Sequence, residues 1–248
     1  MSCEDHGHNH GHGGHHDHSH AAPIPTNPSQ SLVSKIDLPH VNLLNLANHP
    51  DDLPKLFKQR DERFKLRPVI LSDCDSQFII NIPFLNGTVK LFSIILRTNG
   101  DNYCPKTIKL WKNDRNIDFE NAINRKPTFT ITHPHVGFCS YHEEVPEQLE
   151  REEDFVEHHV PRHIFSGVQQ LTMFIENKHS SVSDQEAGES DTEEDDDDII
   201  KLHYLELRGE FTELAKDPVI TLYELSANPA DHKNLTMTKD TAGYSLGN

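Results

Sequence analysis

Residues 77–96, QFIINIPFLNGTVKLFSIIL, contain the clearest structural signal in this chain of 248 residues. An apolar run ends near Phe84 and is followed by Asn86-Gly87, a dipeptide typical of two-residue β-hairpin turns. The next run, from Val89 to Leu96, is apolar on both faces of a strand, which indicates a strand in the middle of a fold. We therefore predict two buried strands joined by a hairpin at Asn86-Gly87.

The flanking sequence predicts further short strands, because apolar residues alternate with polar ones at 108–111, 129–131, 170–176, 200–207 and 219–225. The alternation changes phase within 200–207, which predicts a β-bulge near Tyr204–Leu205. Residues 32–38 resemble a short strand or the entry to one, and residues 51–64 a helix that Asp51 and Asp52 would begin. Seven or more short strands with little helix predict an all-β fold, a β-sandwich or jelly roll.

The acidity of the chain is confined to two segments. The formal net charge is -17. Residues 143–157 hold eight acids and one arginine, and residues 180–198 hold ten acids and no base, so these two segments account for the whole of it. We expect no nucleic-acid binding driven by phosphate neutralisation, which requires a basic face, and no electrostatic docking on an anionic membrane. Both acidic segments are interpreted as insertions that do not fold.

The ends of the chain differ in composition from its middle. Eight of the first 20 residues are histidine, and three prolines follow within residues 23–30. We predict a disordered His-rich tail over 1–30, one domain over 31–235 and a flexible carboxyl tail over 236–248. The four cysteines are scattered without a C-x-x-C pair, and because the amino terminus is polar we expect no signal peptide. The expected location is the cytoplasm and nucleus, with a monomer as the default state.

Four stretches considered together identify a family. They are SDCDSQFIINIPF at 72–84, VKLFSIIL at 89–96, LRGEFTEL at 207–214 and YELSANPADH at 223–232. With IKLWKN at 108–113, they resemble the PITH domain, the proteasome-interacting module that occurs at the carboxyl end of a thioredoxin-like protein and also alone. The resemblance runs from about residue 32 to 235, and the His/Gly-rich start resembles the stand-alone members.

The resemblance implies a galactose-binding-like β-sandwich without catalytic activity or cofactor, and association with the 26S proteasome. The sequence lacks the C-x-x-C of a thioredoxin domain, so we expect no redox role to carry over. Two alternatives remain open on the residues themselves. One is a small-ligand module of the same architecture that binds a sugar or calcium, for which Asp73 and Asp75 are the candidate carboxylates and Trp111 is the lone stacking aromatic. The other is metal buffering by the tail.

Three sets of histidines could bind a metal. The tail set is flexible and would bind zinc, nickel or copper loosely; it comprises His6, His8, His10, His12, His15, His16, His18 and His20. His133 and His135 have the H-x-H spacing of metal-dependent hydrolases, and His159 and His163 have helical i, i+4 spacing. A hydrolase would require His133, His135 and a distant carboxylate to converge, and we interpret these four as loop histidines beside an acidic segment.

The acidic segment 180–198 contains candidate phosphorylation sites. Ser183, Ser190 and Thr192 each have an acidic residue three positions later, as does Ser181, which is the pattern that an acid-directed kinase such as casein kinase 2 prefers. Each phosphate would add about -1.5 to -2 charge.

Overall fold

The computed structural model describes residues 23–137, 146–179 and 198–214, whose strands form two antiparallel sheets. The strands are β1 (Asn42–Leu44), β2 (Ile70–Leu71), β3 (Phe78–Pro83), β4 (Gly87–Thr98), β5 (Pro105–Lys112), β6 (Phe129–Thr132), β7 (Phe155–His159), β8 (Gln170–Lys178) and β9 (Lys201–Glu213). One sheet has the order β1-β3-β8-β5-β6 and the other β2-β9-β4-β7. The helices are one turn of α-helix, α1 (Phe119–Ala122), and 3₁₀ turns at Pro28–Gln30, Val33–Lys35, Leu38–His40, Pro50–Leu56 and Glu152–Asp154.

The main hydrophobic core lies between the two sheets. Alternate residues of β3 and β8 point into it from the five-stranded sheet, and β4 and β9 supply the opposing side chains. A smaller cluster, which includes Ile79, Trp111 and Phe174, packs on the outer face of the five-stranded sheet. The predicted all-β sandwich is therefore confirmed. No helix in the described ranges is long and apolar enough to cross a membrane.

The predicted hairpin at Asn86-Gly87 is wrong. β3 pairs with β1 and β8, whereas β4 pairs with β7 and β9, so residues 84–86 carry the chain from one sheet to the other. Neither Asn86 nor Gly87 has the positive φ that a type I′ turn requires. Gly87 is instead required by close approach, because a Cβ there would lie 2.6 Å from the backbone carbonyl oxygen of Thr212 in the paired strand β9.

The predicted bulge in β9 is confirmed one residue earlier than expected. Arg97 pairs with Tyr204 and Thr98 with Leu202, which leaves His203 as the extra residue. β4 carries a bulge of its own at Phe92, between the pairs Leu91–Gly209 and Ser93–Arg208. This bulge reverses the inward-facing phase, so that Val89 and Leu91 before it, and Ile94 and Leu96 after it, all reach the core.

Four local expectations need correction. Residues 32–38 form 3₁₀ turns instead of a strand, and the helix expected over 51–64 is a 3₁₀ helix that ends at Leu56. Residues 23–30, expected to be disordered, pack on the sandwich, and the acidic segment 143–157 contains, in its described part, the Glu152–Asp154 turn and the first three residues of β7. The physical reason is the same for residues 23–30 and for the acidic segment. Polar side chains in both segments bond to buried arginines, Thr26 to Arg208 and Asp154 to Arg97. The predicted strand at 219–225 lies outside the described residues.

Candidate functional site

The outer face of the four-stranded sheet carries charged and aromatic side chains. Phe155 of β7, Arg97 of β4 and Tyr204 of β9 form one row across the strands. The Arg97 guanidinium carbon lies 5.0 Å from the centroid of the Phe155 ring, and the Phe155 and Tyr204 rings meet edge to face at 5.5 Å. Arg97 is completely buried and donates to Asp154 Oδ2 at 2.9 Å. Since buried charges require partners, this layer depends on segments that cover it.

The amino-terminal segment, residues 23–36, covers part of this face. The Leu32 amide donates to the Leu207 carbonyl at 2.9 Å, which aligns the segment with β9. Thr26 donates to the Glu157 carboxylate and accepts from Arg208 Nη1 at 3.2 Å. The segment contributes to the lining of two cavities that carry cationic side chains.

The first cavity, which we name the Phe92 cleft, has a volume of about 470 Å³. Its described lining consists of Pro23, Ile24, Lys90, Phe92, His159, Val160, Arg162 and His163, none of which is acidic. The Arg162 guanidinium stacks 3.9 Å from the Phe92 ring centroid and donates to the Ile24 carbonyl at 2.9 Å. This stacking holds the arginine in place while leaving further N–H groups for a ligand.

The second cavity, which we name the Lys58 pocket, is smaller, at about 170 Å³. It is lined by Pro28, Ser31, Val33, Lys58, Gln59, Arg60, Arg63, Tyr204, Glu206 and Arg208. Burial and the nearby Arg97 lower the pKa of Lys58 to about 8. Burial and the Glu206 charge raise the pKa of the Tyr204 phenol well above its ordinary value.

A directed chain of hydrogen bonds contains His133, which the sequence places in a loop but the structure buries completely. The Val136 carbonyl can only accept, so the Thr98 hydroxyl donates to it at 3.0 Å and accepts from His133 Nε2 at 3.1 Å. His133 Nδ1 then accepts from His158 Nε2 at 2.8 Å. Burial is the main cause that lowers the pKa of His133 to about 3 and that of His158 to about 4.

These contacts argue against the hydrolase alternative. Both ring nitrogens of His133 are engaged, and the exposed His135 stacks on His179 with ring centroids 4.9 Å apart. Among the described residues, no group of three or more His, Cys, Asp or Glu side chains is placed to hold a metal ion. His133 follows β6 in a loop, as expected, but it is buried, whereas His159 is the last residue of β7, so the interpretation as loop histidines is wrong for His159. The half-buried His159 and the exposed His163 line the Phe92 cleft.

The candidates for sugar or calcium binding have structural roles. Trp111 is buried, and its Nε1 donates to the Lys126 carbonyl at 3.1 Å, so the ring is not a stacking platform. Asp75 Oδ1 accepts from Asn45 Nδ2 and from the Gln77 amide, which makes it a turn residue. A groove of about 560 Å³ on the five-stranded sheet is lined by Asn42, Asn81 and Gln170, whose amides bond to one another.

The remaining predicted site residues lie outside the described ranges. They are the eight tail histidines and the phosphorylation candidates Ser183, Ser190 and Thr192. The two cationic cavities were missed by the sequence reasoning, because their residues come from distant segments and form no local motif. The available signal was a charged residue, Arg208, that follows an apolar strand pattern and lines the Lys58 pocket.

Comparisons with known proteins agree on one family. The model of the PITH domain matches residues 22–227. The human PITH domain-containing protein 1 is 30% identical over 213 residues, which cover 85% of this chain and 84% of that protein. The PITH domain-containing protein CG6153 of Drosophila melanogaster is 32% identical over 207 residues, with coverage of 82% and 81%.

Two solved structures are more distant. The carboxyl-terminal domain of a chitobiase from Bacteroides fragilis has a TM-score of 0.37 at 12% identity and covers 72% of this chain and 95% of its own. The family 32 carbohydrate-binding module of Streptococcus pneumoniae EndoD has a TM-score of 0.39 at 7% identity, with coverage of 71% and 99%. The family-model match over most of the chain identifies the group: this chain belongs to the PITH domain family.

Proposed function

We propose that this chain is a non-catalytic protein-interaction module that associates with the 26S proteasome in the cytoplasm and nucleus. The family resemblance supports the partner, and one structural observation supports the mode of binding. In a chain with a net charge of -17, the Phe92 cleft has a described lining of apolar, lysine, arginine and histidine side chains only. A cleft of this kind suits a carboxylate-rich segment on the surface of a partner protein.

The acidic residues near the Phe92 cleft do not neutralise its cationic side chains. Glu157 accepts from Ser93 Oγ at 2.5 Å and from Thr26, and its other oxygen faces Arg208 at 3.9 Å. Glu210 is opposite Lys90 in the β4–β9 pairing, but it is exposed and does not line the cleft. The cleft therefore retains the Arg162 and Lys90 charges for a partner, and attraction between exposed charges of this kind weakens as salt is added.

The test is affinity capture of proteasome subunits by the tagged full chain at native abundance. Lys90→Glu reverses an exposed charge in the cleft, and Lys126→Glu reverses an exposed lysine on a loop beside the other sheet. We expect Lys90→Glu to reduce captured proteasome about tenfold, as one close charge pair at an interface commonly does, and Lys126→Glu to have no effect.

Two results would contradict parts of the proposal. A wild-type preparation free of proteasome subunits would remove that partner. Equal capture by the two variants, with the partner present, would keep the association but place it on another surface.

A further inference from the structure

The Lys58 pocket holds more positive charge than its own carboxylate neutralises. Four cations line it, Lys58, Arg60, Arg63 and Arg208, against a single acid, Glu206. The net charge of the described lining is therefore +3, in an enclosure formed by the amino-terminal segment, residues 58–63 and β9.

Both carboxylate oxygens of Glu206 accept hydrogen bonds from neighbouring side chains. Arg208 donates to both of its oxygens, from Nε at 3.1 Å and from Nη2 at 3.3 Å. The Tyr204 hydroxyl donates to Oε2 at 3.0 Å. This carboxylate therefore balances Arg208 and leaves the other three cations without a counter-charge inside the pocket.

Lys58 is buried without a carboxylate partner among the described residues. It is 6% exposed, and its amine donates to the Lys65 carbonyl at 3.0 Å and to the carbonyl of the bulged residue His203 at 2.5 Å. An ammonium group has three donors, so one hydrogen remains after these two bonds. Burial is the main effect that disfavours the Lys58 charge, followed by the neighbouring Arg97, whereas Glu62, which pairs with Lys65 at 2.6 Å, favours it.

Arg63 and Arg60 supply further donors. The buried Nε of Arg63 has no hydrogen-bond partner in the described part of the chain, although its guanidinium stacks 4.6 Å from the Phe64 ring and pairs with the exposed Glu152 at the other end. A buried donor left unpaired costs about 1–3 kcal/mol, so an acceptor at this position is favoured. Arg60 is exposed beside these groups.

We propose that the Lys58 pocket binds a small oxyanion of the phosphate class, either free phosphate or the phosphate of a phosphorylated group. The pocket presents a surplus of positive charge and unpaired donors, which is the chemistry that recognises such an anion. Its volume of about 170 Å³ is below the roughly 300 Å³ at which cavities for drug-sized ligands begin, so it suits a single oxyanion group. This site is separate from the Phe92 cleft and does not depend on the proteasome association.

The test is calorimetric titration of the full chain with sodium phosphate and, in a second arm, with phosphoserine, both at constant ionic strength with chloride as the reference anion. We expect saturable binding of phosphate. Tighter binding of phosphoserine would identify a phosphorylated side chain as the source of the anion, and weaker binding would identify free phosphate.

The variants distinguish the pocket from general surface charge. Arg60→Ala, at an exposed position, should weaken phosphate binding about tenfold, the effect of one charge-assisted hydrogen bond, without unfolding the chain. Arg67→Ala removes another exposed arginine of the same stretch that does not line the pocket, and should leave the affinity unchanged. Absence of saturable binding in the wild type, or equal loss in both variants, would overturn the proposal.

Discussion

Gly209 shows how one residue sets the distance between two strands. It lies in β9 opposite Leu91, immediately beside the bulge at Phe92, and a Cβ there would be 2.2 Å from the carbonyl oxygen of Lys90. The atom that would be met is part of the backbone of a paired strand and has little freedom to move. The bulge thus brings β4 so close to β9 that only glycine fits.

We predict that Gly209→Ala lowers the free energy of unfolding by about 1–3 kcal/mol, the usual cost of forcing an extra atom into a packed site. Urea denaturation followed by circular dichroism measures the change. Thr212→Ala, at an exposed position of the same strand, serves as the control and should change stability by about 0.5 kcal/mol or less. An alanine variant as stable as the wild type would show that the strands can separate locally.

At the scale of elements, the edge strand β7 is anchored by one buried ion pair. Asp154 immediately precedes β7, and its carboxylate accepts from Arg97 in the central strand β4. Arg97 also donates to the Phe64 carbonyl at 3.1 Å and to the Leu149 carbonyl at 2.8 Å. A single guanidinium therefore joins β4, the approach to β7 and the segment that follows the Pro50–Leu56 helix.

We expect Asp154→Asn to destabilise the fold by about 3–5 kcal/mol, because it leaves the Arg97 charge buried without its counter-ion. The exposed neighbour Glu153 pairs with Arg151 at the surface, so Glu153→Gln should cost about 1 kcal/mol or less. Chemical denaturation of both variants measures the difference. Similar losses in the two would mean that water reaches Arg97 and screens its charge.

At the scale of the whole molecule, buried neutral histidines link stability to pH. Burial lowers the pKa of His133 to about 3 and those of His158 and His203 to about 4. In the unfolded chain these groups bind protons below about pH 6.5. Between pH 6.5 and 4 the unfolded state therefore holds more protons than the folded state, and the free energy of unfolding falls as the pH falls.

We predict that unfolding free energies measured at pH 7, 6 and 5 decrease steadily in the wild type and decrease less in His158→Gln, which removes one titrating group but keeps an N–H donor for His133. His163→Gln, at an exposed position, should follow the wild-type curve. Parallel curves for all three proteins would show that the pKa of His158 is the same in the folded and unfolded states.

Alternation and motif spacing are local properties of the chain, and they predicted β3, β4, β5, β6, β8 and β9, the bulge in β9 and the family. They did not predict β1, β2 and β7, and they did not predict which strands pair, because pairing depends on packing between distant segments. Asn86-Gly87 has the sequence of a hairpin turn, but β3 pairs with strands of the five-stranded sheet and β4 with strands of the four-stranded sheet. The residues between them therefore connect the two sheets. Tertiary contacts also decide the structure of residues 146–157. Their acidity suggests an insertion that does not fold, but Asp154 forms a buried ion pair with Arg97. The two cationic cavities depend on residues far apart in the chain, so their charges converge only when the sheets and the amino-terminal segment have packed.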